Sequence, residues 1–341
     1  MEKIRLGRTN LWVSRSGFGA IPIQRISFDE AKRLLRKAYD QGINFFDTAR
    51  GYTDSEEKIG YALSDVRKEL IIATKSPATE KKGLLQDIAT SLRNLRTDYI
   101  DILQVHNPPT VFAPGGADGV YEGLLEAKAK GQIRFLGLTN HRRPVALEAI
   151  ASEYYDTIQF PLNSLSSPED LAVIAACRQH DLGVIAMKAL SGGLITKVAA
   201  TFAFLRQYDN VVPIWGLQFE SELDEFLALE QQPPALDEAM WQVIAQDRAE
   251  LSGAFCRGCG YCMPCSVGIP IHLAARMSFL LKRMPSQRFL EDEWQKKMAL
   301  IAECTECGQC KARCPYELDT PMLLKKEYRA YQEFSQTHAG K

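Results

Sequence analysis

Residues 28–48, FDEAKRLLRKAYDQGINFFDT, set out the unit from which most of this chain is built. A long amphipathic segment, Phe28–Gln41, is followed by a short apolar one, Ile43–Thr48, which reads as a helix leading into a buried strand. The same alternation extends in both directions. Apolar segments at Gly17–Ala20, Leu70–Lys75, Tyr99–His106, Phe135–Asn140, Thr157–Asn163, Gly183–Lys188 and Val211–Gly216 read as further strands. Amphipathic segments at Glu56–Ser64, Gly83–Leu95, Gly119–Lys130, Pro144–Ser152, Pro168–His180, Thr196–Tyr208 and Ser221–Gln231 read as the helices between and after them. Eight strand–helix units in one α/β core of this length predict a (β/α)8 TIM barrel. A doubly wound open sheet is the competing architecture. It would carry a glycine-rich dinucleotide turn after its first strand, and Gly17-Phe18-Gly19-Ala20 is not G-x-G-x-x-G. Ahead of the barrel, Lys3–Leu6 and Leu11–Ser14 read as two short strands around the turn Gly7-Arg8-Thr9-Asn10, placed as a cap.

The 341 residues are 46% hydrophobic with a formal net charge of −1. The chain is long enough to bury one large core, and no bulk charge draws it to nucleic acid or to a membrane surface. The first residues, MEKIRLGRTN, lack the apolar centre of a signal peptide, and no apolar run approaches membrane-spanning length. A cytoplasmic protein with reduced thiols is expected, with neither nucleic acid nor membrane as partner.

In a TIM barrel, chemistry sits at the C-terminal ends of the strands. Strand two ends in Asp47-Thr48-Ala49-Arg50-Gly51-Tyr52, strand three in Thr74-Lys75-Ser76, and strand four in Gln104-Val105-His106-Asn107-Pro108. Singly, each polar residue has a structural reading: Asp47 as a cap, Tyr52 as surface packing, Lys75 as a rim charge, His106 as a satisfied core histidine. Together they form a proton-delivery site. The ammonium is expected to lower the phenol's pKa, the carboxylate to hold the ammonium, and the imidazole to orient a carbonyl oxygen.

Asp47, Tyr52, Lys75 and His106 match in order and approximate spacing the catalytic tetrad of the aldo-keto reductases, which residues 3 to about 231 resemble. The resemblance implies that Tyr52 protonates the carbonyl oxygen, that Lys75 and Asp47 tune it, and that His106 orients the substrate, a small carbonyl compound or alcohol. It also implies a nicotinamide held by Thr139, Asn140 and Gln159, with Lys188 and Gly216 as further cofactor contacts. Two departures stand out. The aromatic residue that commonly stacks on the nicotinamide after strand seven is missing from Met187-Lys188-Ala189-Leu190-Ser191-Gly192-Gly193, and the residues that bind a 2′-phosphate after strand eight are replaced by Gln218-Phe219-Glu220-Ser221-Glu222. Carboxylates there repel a phosphate, so the cofactor is expected to be NAD(P)H or a flavin such as FMN.

Eight of the nine cysteines lie near the other end, as Cys256, Cys259, Cys262 and Cys265, then Cys304, Cys307, Cys310 and Cys314. The second group, C-x2-C-x2-C-x3-C followed by Pro315, resembles the iron–sulfur run of bacterial ferredoxins, in which the more distant cysteine ligates the other cluster. Two [4Fe-4S] clusters are therefore expected, with crossed ligands: Cys256, Cys259 and Cys262 with Cys314, and Cys304, Cys307 and Cys310 with Cys265. Two four-cysteine zinc sites or disulfides are the alternatives. Helical segments at Ile271–Arg283 and Phe289–Ala302, separated by Met284-Pro285-Ser286, and a basic amphipathic tail from Pro321 to about Gln336, make the region an α-helical ferredoxin-like domain. The expected organisation is a barrel over 1–235, a connecting helix over 236–255, and an iron–sulfur domain with helical tail over 256–341.

The combined expectation is an oxidoreductase acting on a carbonyl or alcohol, its clusters relaying electrons to or from the barrel cofactor or a ferredoxin-type partner. Clusters that are structural or redox-sensing, beside an NAD(P)H-dependent reductase, are the alternative.

Overall fold

The computed structural model describes residues 1–251, 255–283 and 286–338. Met284 and Pro285, expected to separate a pair of helices, and residues 252–254, at the end of the expected connecting helix, lie outside the described residues. The chain divides into two compact units, residues 1–189 with 199–241, and residues 190–198 with 242–341.

The first unit begins with an antiparallel hairpin of β1 (Lys3–Arg5) and β2 (Trp12–Ser14). Eight strands come next: β3 (Gly17–Gly19), β4 (Phe45–Asp47), β5 (Ile71–Ser76), β6 (Ile100–His106), β7 (Ile133–Thr139), β8 (Thr157–Pro161), β9 (Gly183–Met187) and β10 (Val211–Gly216). They pair in parallel in that order and close where β10 meets β3. The helices are α1 (Phe28–Asp40), α2 (Ser55–Leu63), α3 (Lys81–Leu95), α4 (Val120–Ala129), α5 (Arg143–Ser152), α6 (Pro168–Gln179), α7 (Val198–Arg206) and α8 (Glu220–Gln231). The barrel expected from the alternation is therefore the fold of this unit. Parallel strands covered on both faces read as nearly continuous apolar runs, which is why their positions were visible in the sequence.

Local chemistry agrees with the element boundaries. Ser27 and Glu30 form a capping box that opens α1: the Glu30 amide donates to Ser27 Oγ at 3.3 Å, and the Ser27 amide donates to Glu30 Oε2 at 2.8 Å. Strand β7 starts at Ile133, two residues earlier than its apolar pattern suggests, because Ile133 is buried in register with Ile100 of β6.

The N-terminal hairpin plugs the lower end of the barrel. Ile4, Leu6, Leu11 and Val13 form one buried cluster with Phe45, Ile71, Ile102, Ile185 and Ile214. Gly7 makes the approach possible: at φ +50° it lies so close to β9 that a Cβ there would stand 2.3 Å from the Gly183 nitrogen. With that end closed by apolar side chains, the polar strand ends gather at the opposite rim.

In the second unit, most of α9 (Glu238–Glu250) packs with α10 (Ile271–Ala274), α11 (Met277–Arg283), α12 (Gln287–Leu290), α13 (Asp292–Ala299), α14 (Gln309–Ala312) and α15 (Thr320–His338). The helix expected over Ile271–Arg283 is broken into α10 and α11 at Ala275 and Arg276, and the one expected over Phe289–Ala302 is broken at the extended Glu291, with Phe289 and Leu290 in α12 and the rest in α13 and the 3-10 turn that follows it. Long helix α15 is the spine: Leu324, Glu327 and Tyr331 are buried, Glu327 accepts from the Ser278 amide at 2.7 Å, and the Tyr331 hydroxyl donates to Phe289 O at 2.7 Å. Arg283 joins two further segments, donating to Leu194 O and to Asp247, each at 2.8 Å. Among the described residues, no helix is long and apolar enough to cross a membrane.

Candidate active site and cluster ligands

Three adjacent strand ends bring the tetrad together. Asp47 ends β4, Lys75 is the penultimate residue of β5, and His106 ends β6; in register Asp47 lies opposite Ala73 and Lys75 opposite Gln104, so each lies two residues beyond its neighbour's partner, on the same face of its strand. Lys75 Nζ donates to Asp47 Oδ1 at 2.5 Å and to Thr48 O at 2.7 Å, and both ionic side chains are buried. Tyr52 comes from the loop after β4. The Tyr52 amide donates to Ala49 O and its carbonyl accepts from the Ser55 amide, which makes that loop a tight turn into α2. Its ring lies with the Lys75 ammonium 5.1 Å from the centroid and packs edge-on against His106, with centroids 5.9 Å apart.

The electrostatics differ from the expectation in one respect. Burial, reinforced by the Asp47 charge, pushes the Tyr52 phenol above its ordinary pKa, so the expected lowering by Lys75 does not prevail. Burial also lowers the Lys75 pKa, with Asp47 opposing. His106 is held down to about 3 by burial and then by the Lys75 charge. At neutral pH the site thus presents a protonated phenol beside a neutral imidazole, the forms that can give a proton and orient a carbonyl oxygen.

A further member escaped the reading of residue types. Gln104 is fully buried on β6 and donates from Nε2 to Asp47 Oδ2 at 3.1 Å, so Asp47 is held from two sides. The signal was available in the two-residue period of a strand, which points Gln104 the same way as His106. Gly137 on β7 leaves room for it, since a Cβ there would stand 2.7 Å from Gln104 Cγ.

The residues expected to hold a cofactor have unequal freedom. Thr139 ends β7 and directs its hydroxyl at Met187 Sδ, 3.7 Å away. Asn140 is committed within the chain, donating to Pro108 O at 2.8 Å and accepting from the Arg142 amide at 2.8 Å. Gln159 on β8 is fully buried, and neither its oxygen nor its nitrogen has a hydrogen-bond partner among the described residues. A buried amide with both ends unmatched fits another amide, which a nicotinamide carries. Lys188 follows β9 in a left-handed conformation at φ +57°, and Gly216 ends β10 in an exposed position beside Pro22. After β10, Glu222 Oε2 accepts from the Gln218 and Phe219 amides at 2.7 and 3.0 Å, and Glu220 pairs with Lys37 at 3.3 Å. The chain's own carboxylate therefore occupies amide donors that an incoming anion would otherwise use.

The sequence profile of the aldo/keto reductase family matches residues 16–229, which holds this barrel and all four tetrad positions. The chain belongs to the aldo/keto reductase family. Among curated relatives of this aldo/keto reductase are the L-galactose dehydrogenase of Arabidopsis thaliana, 30% identical over 217 residues covering 58% of this chain and 67% of that one. The NADH-specific methylglyoxal reductase of Escherichia coli (strain K12) is 29% identical over 232 residues, 58% of this chain and 69% of that one. Solved structures share the fold. An aldo-keto reductase of Bacillus halodurans in its holo form aligns with a TM-score of 0.63 at 22% identity, covering 72% of this chain and 96% of that one. One from Klebsiella pneumoniae in complex with NADPH aligns with a TM-score of 0.63 at 20% identity, covering 72% and 95%. A second profile, a 4Fe-4S dicluster domain, matches residues 255–319 of this aldo/keto reductase.

Within that stretch the thiols surround two cavities. One is lined by Cys256, Cys259, Cys262 and Cys314; the other by Cys265, Cys304, Cys307 and Cys310, with Cys262 at its edge. Among the described residues no three His, Cys, Asp or Glu side chains are placed to hold a single metal ion. Thiols spread around a cavity suit a cubane, which meets each at a separate corner. Burial pushes the Cys262 thiol up to about 12, with Cys256 and Cys259 adding to it, while the Gln309 amide lowers the exposed Cys307. A buried thiolate needs a metal partner, and iron supplies one.

Proposed function

We propose that this aldo/keto reductase interconverts a small carbonyl compound and its alcohol in the barrel, and that its C-terminal unit carries two [4Fe-4S] clusters. One would sit on Cys256, Cys259, Cys262 and Cys314, the other on Cys265, Cys304, Cys307 and Cys310, relaying single electrons between the barrel cofactor and a ferredoxin-type partner. The observation that carries the barrel chemistry is the buried Lys75–Asp47 pair beneath the ring of Tyr52, next to a neutral His106.

In this reading His106 donates a hydrogen bond to the substrate carbonyl oxygen, and the Tyr52 hydroxyl passes its proton to that oxygen as negative charge develops there. The Lys75 ammonium then faces the phenolate left behind and stabilises it, while Asp47 and Gln104 keep the ammonium in place. A nicotinamide bound at the barrel rim supplies the hydride. Gln159 is the residue best suited to hold its carboxamide, and Glu222 disfavours a 2′-phosphate, which favours NADH over NADPH.

The cluster domain favours a second reading of the cofactor. An FMN works in both one-electron and hydride chemistry, and so would match clusters that move electrons singly. Anaerobically purified protein decides between the two: a flavin band released on denaturation selects FMN, and its absence together with NADH-dependent carbonyl reduction selects the nicotinamide. The relay is tested by oxidising substrate alcohol in the presence of an oxidised ferredoxin-type carrier. Carrier reduction that disappears when Cys307 is replaced supports the relay, whereas full nicotinamide-dependent turnover with no carrier reduction returns the clusters to a structural or sensing role.

A further inference from the structure

Each set of thiols would hold a cluster that becomes more negative by one charge on reduction, and the two surroundings meet that charge differently. The set on Cys265, Cys304, Cys307 and Cys310 includes an exposed thiol, Cys307, and the ionisable side chain lining its cavity besides the cysteines is an acid, Glu306, which pairs with the exposed Lys325 at 2.5 Å. Water is available there to screen the added charge. The other set includes the buried Cys256 and Cys262. Burial alone would make reduction of a cluster at that site unfavourable, because an added charge is poorly solvated in a low-dielectric interior.

Arg276 stands at that buried site. It lies in the break between α10 and α11, it is only 7% exposed, and its Nη1 donates to Gly192 O at 2.9 Å. Its guanidinium lies against the ligand loop itself. A Cβ on Gly258, between Cys256 and Cys259, would stand 2.7 Å from Arg276 Cζ, 2.8 Å from Nη2 and 2.9 Å from Nη1. A Cβ on Gly192 would stand 2.9 Å from Nη1. Both glycines have positive φ, +62° and +68°, so two backbone turns without side chains form a slot that fits the planar cation. The Gly258 amide in turn donates to Cys256 Sγ at 3.4 Å, so the glycine that the cation packs against is itself bonded to a ligand sulfur. The break in the helix expected over Ile271–Arg283 is what aims Arg276 at the loop.

We propose that Arg276 compensates the charge of the cluster held by Cys256, Cys259, Cys262 and Cys314, raising the reduction potential of that cluster alone. Reduction adds one electron from an external one-electron donor and breaks no bond, so the fixed cation acts only through its charge. Arg257 is the internal control. It lines the same cavity, but it is half-buried where Arg276 is only 7% exposed, and its guanidinium stacks 4.8 Å from the Phe255 centroid and 4.4 Å from the Tyr316 centroid, so water screens its charge more. Its removal is expected to matter less.

The proposal rests on the two-cluster reading, and iron and sulfide assays of the wild-type protein test that reading separately. The full chain, prepared anaerobically, is titrated with dithionite while the reduced clusters are followed by electron paramagnetic resonance. Arg276→Gln is expected to move one of the two reductions to lower potential and leave the other in place, Arg257→Gln to move the same one less, and Arg276→Lys to stay near the wild type. Two unmoved reductions in Arg276→Gln, or two that move alike, overturn the proposal. Should Arg276→Gln lose iron, Arg276→Lys decides: full iron with the wild-type potential supports charge compensation, and full iron with one lowered potential overturns it. Wild-type iron sufficient for a single cluster overturns the two-cluster reading, and overturns this proposal as well only if Arg276→Gln leaves that cluster's potential unmoved.

Discussion

Lys75 Nζ and Asp47 Oδ1 meet at 2.5 Å across the neighbouring strands β5 and β4, both out of contact with bulk water. Neither charge is stable there alone. Lys75→Met is therefore expected to destabilise the barrel by about 3–5 kcal/mol, because it strands the Asp47 carboxylate. The double variant Asp47→Asn, Lys75→Met is expected to recover a large part of that loss. Urea unfolding of the barrel transition measures both, and a single variant as stable as the wild type would show that the pair is not coupled.

Tyr52→Phe removes the proposed proton donor and keeps the ring that packs on His106. Turnover is expected to fall by roughly 10²–10⁴-fold, with cofactor affinity unchanged. Steady-state kinetics with a cofactor-binding titration separate the two quantities, and undiminished turnover would remove Tyr52 from its proposed role.

The His106 pKa is about 3 in the folded chain, below the ordinary value of about 6.5. Between these two values the unfolded chain binds the extra proton, so the contribution of His106 to stability falls as pH drops through that window and is gone below it. His106→Gln is expected to flatten this part of the pH–stability curve. Thermal melts from pH 7 to pH 4 provide the comparison, and parallel curves for the two proteins would rule out the contribution.

Glu222→Ala frees the Gln218 and Phe219 amides. The proposed preference for NADH over NADPH is expected to shrink by about tenfold, the effect of one or two charge-assisted hydrogen bonds. The ratio of kcat/KM for the two cofactors is the readout, and a ratio that stays put would move the 2′-phosphate away from this helix end.

The cavities group Cys314 with Cys256, and Cys265 with Cys304. Cys314→Ala and Cys256→Ala are expected to deplete the same paramagnetic component, and Cys265→Ala and Cys304→Ala the other. Depletion that instead follows order along the chain would replace the crossed assignment.

By itself the sequence determined the eight strand–helix units and the residue types at their ends, because a buried parallel strand and an amphipathic helix each impose a periodicity that survives without neighbours. Asp47, Lys75 and His106 were legible at those strand ends, and together with Tyr52 they were legible as a tetrad through the resemblance to the aldo-keto reductases. Only the tertiary structure decided the rest, since it depends on contacts between residues far apart in the chain. Strand register sets Gln104 against Asp47 in the space that Gly137 leaves open. Burial overrides the ammonium and raises the Tyr52 pKa. Glu222, read from the sequence only as a repelling charge, is tied to the start of α8. A helix that periodicity would have run straight through instead breaks at Arg276, and packing in the folded unit carries that cation to the glycines behind Cys256.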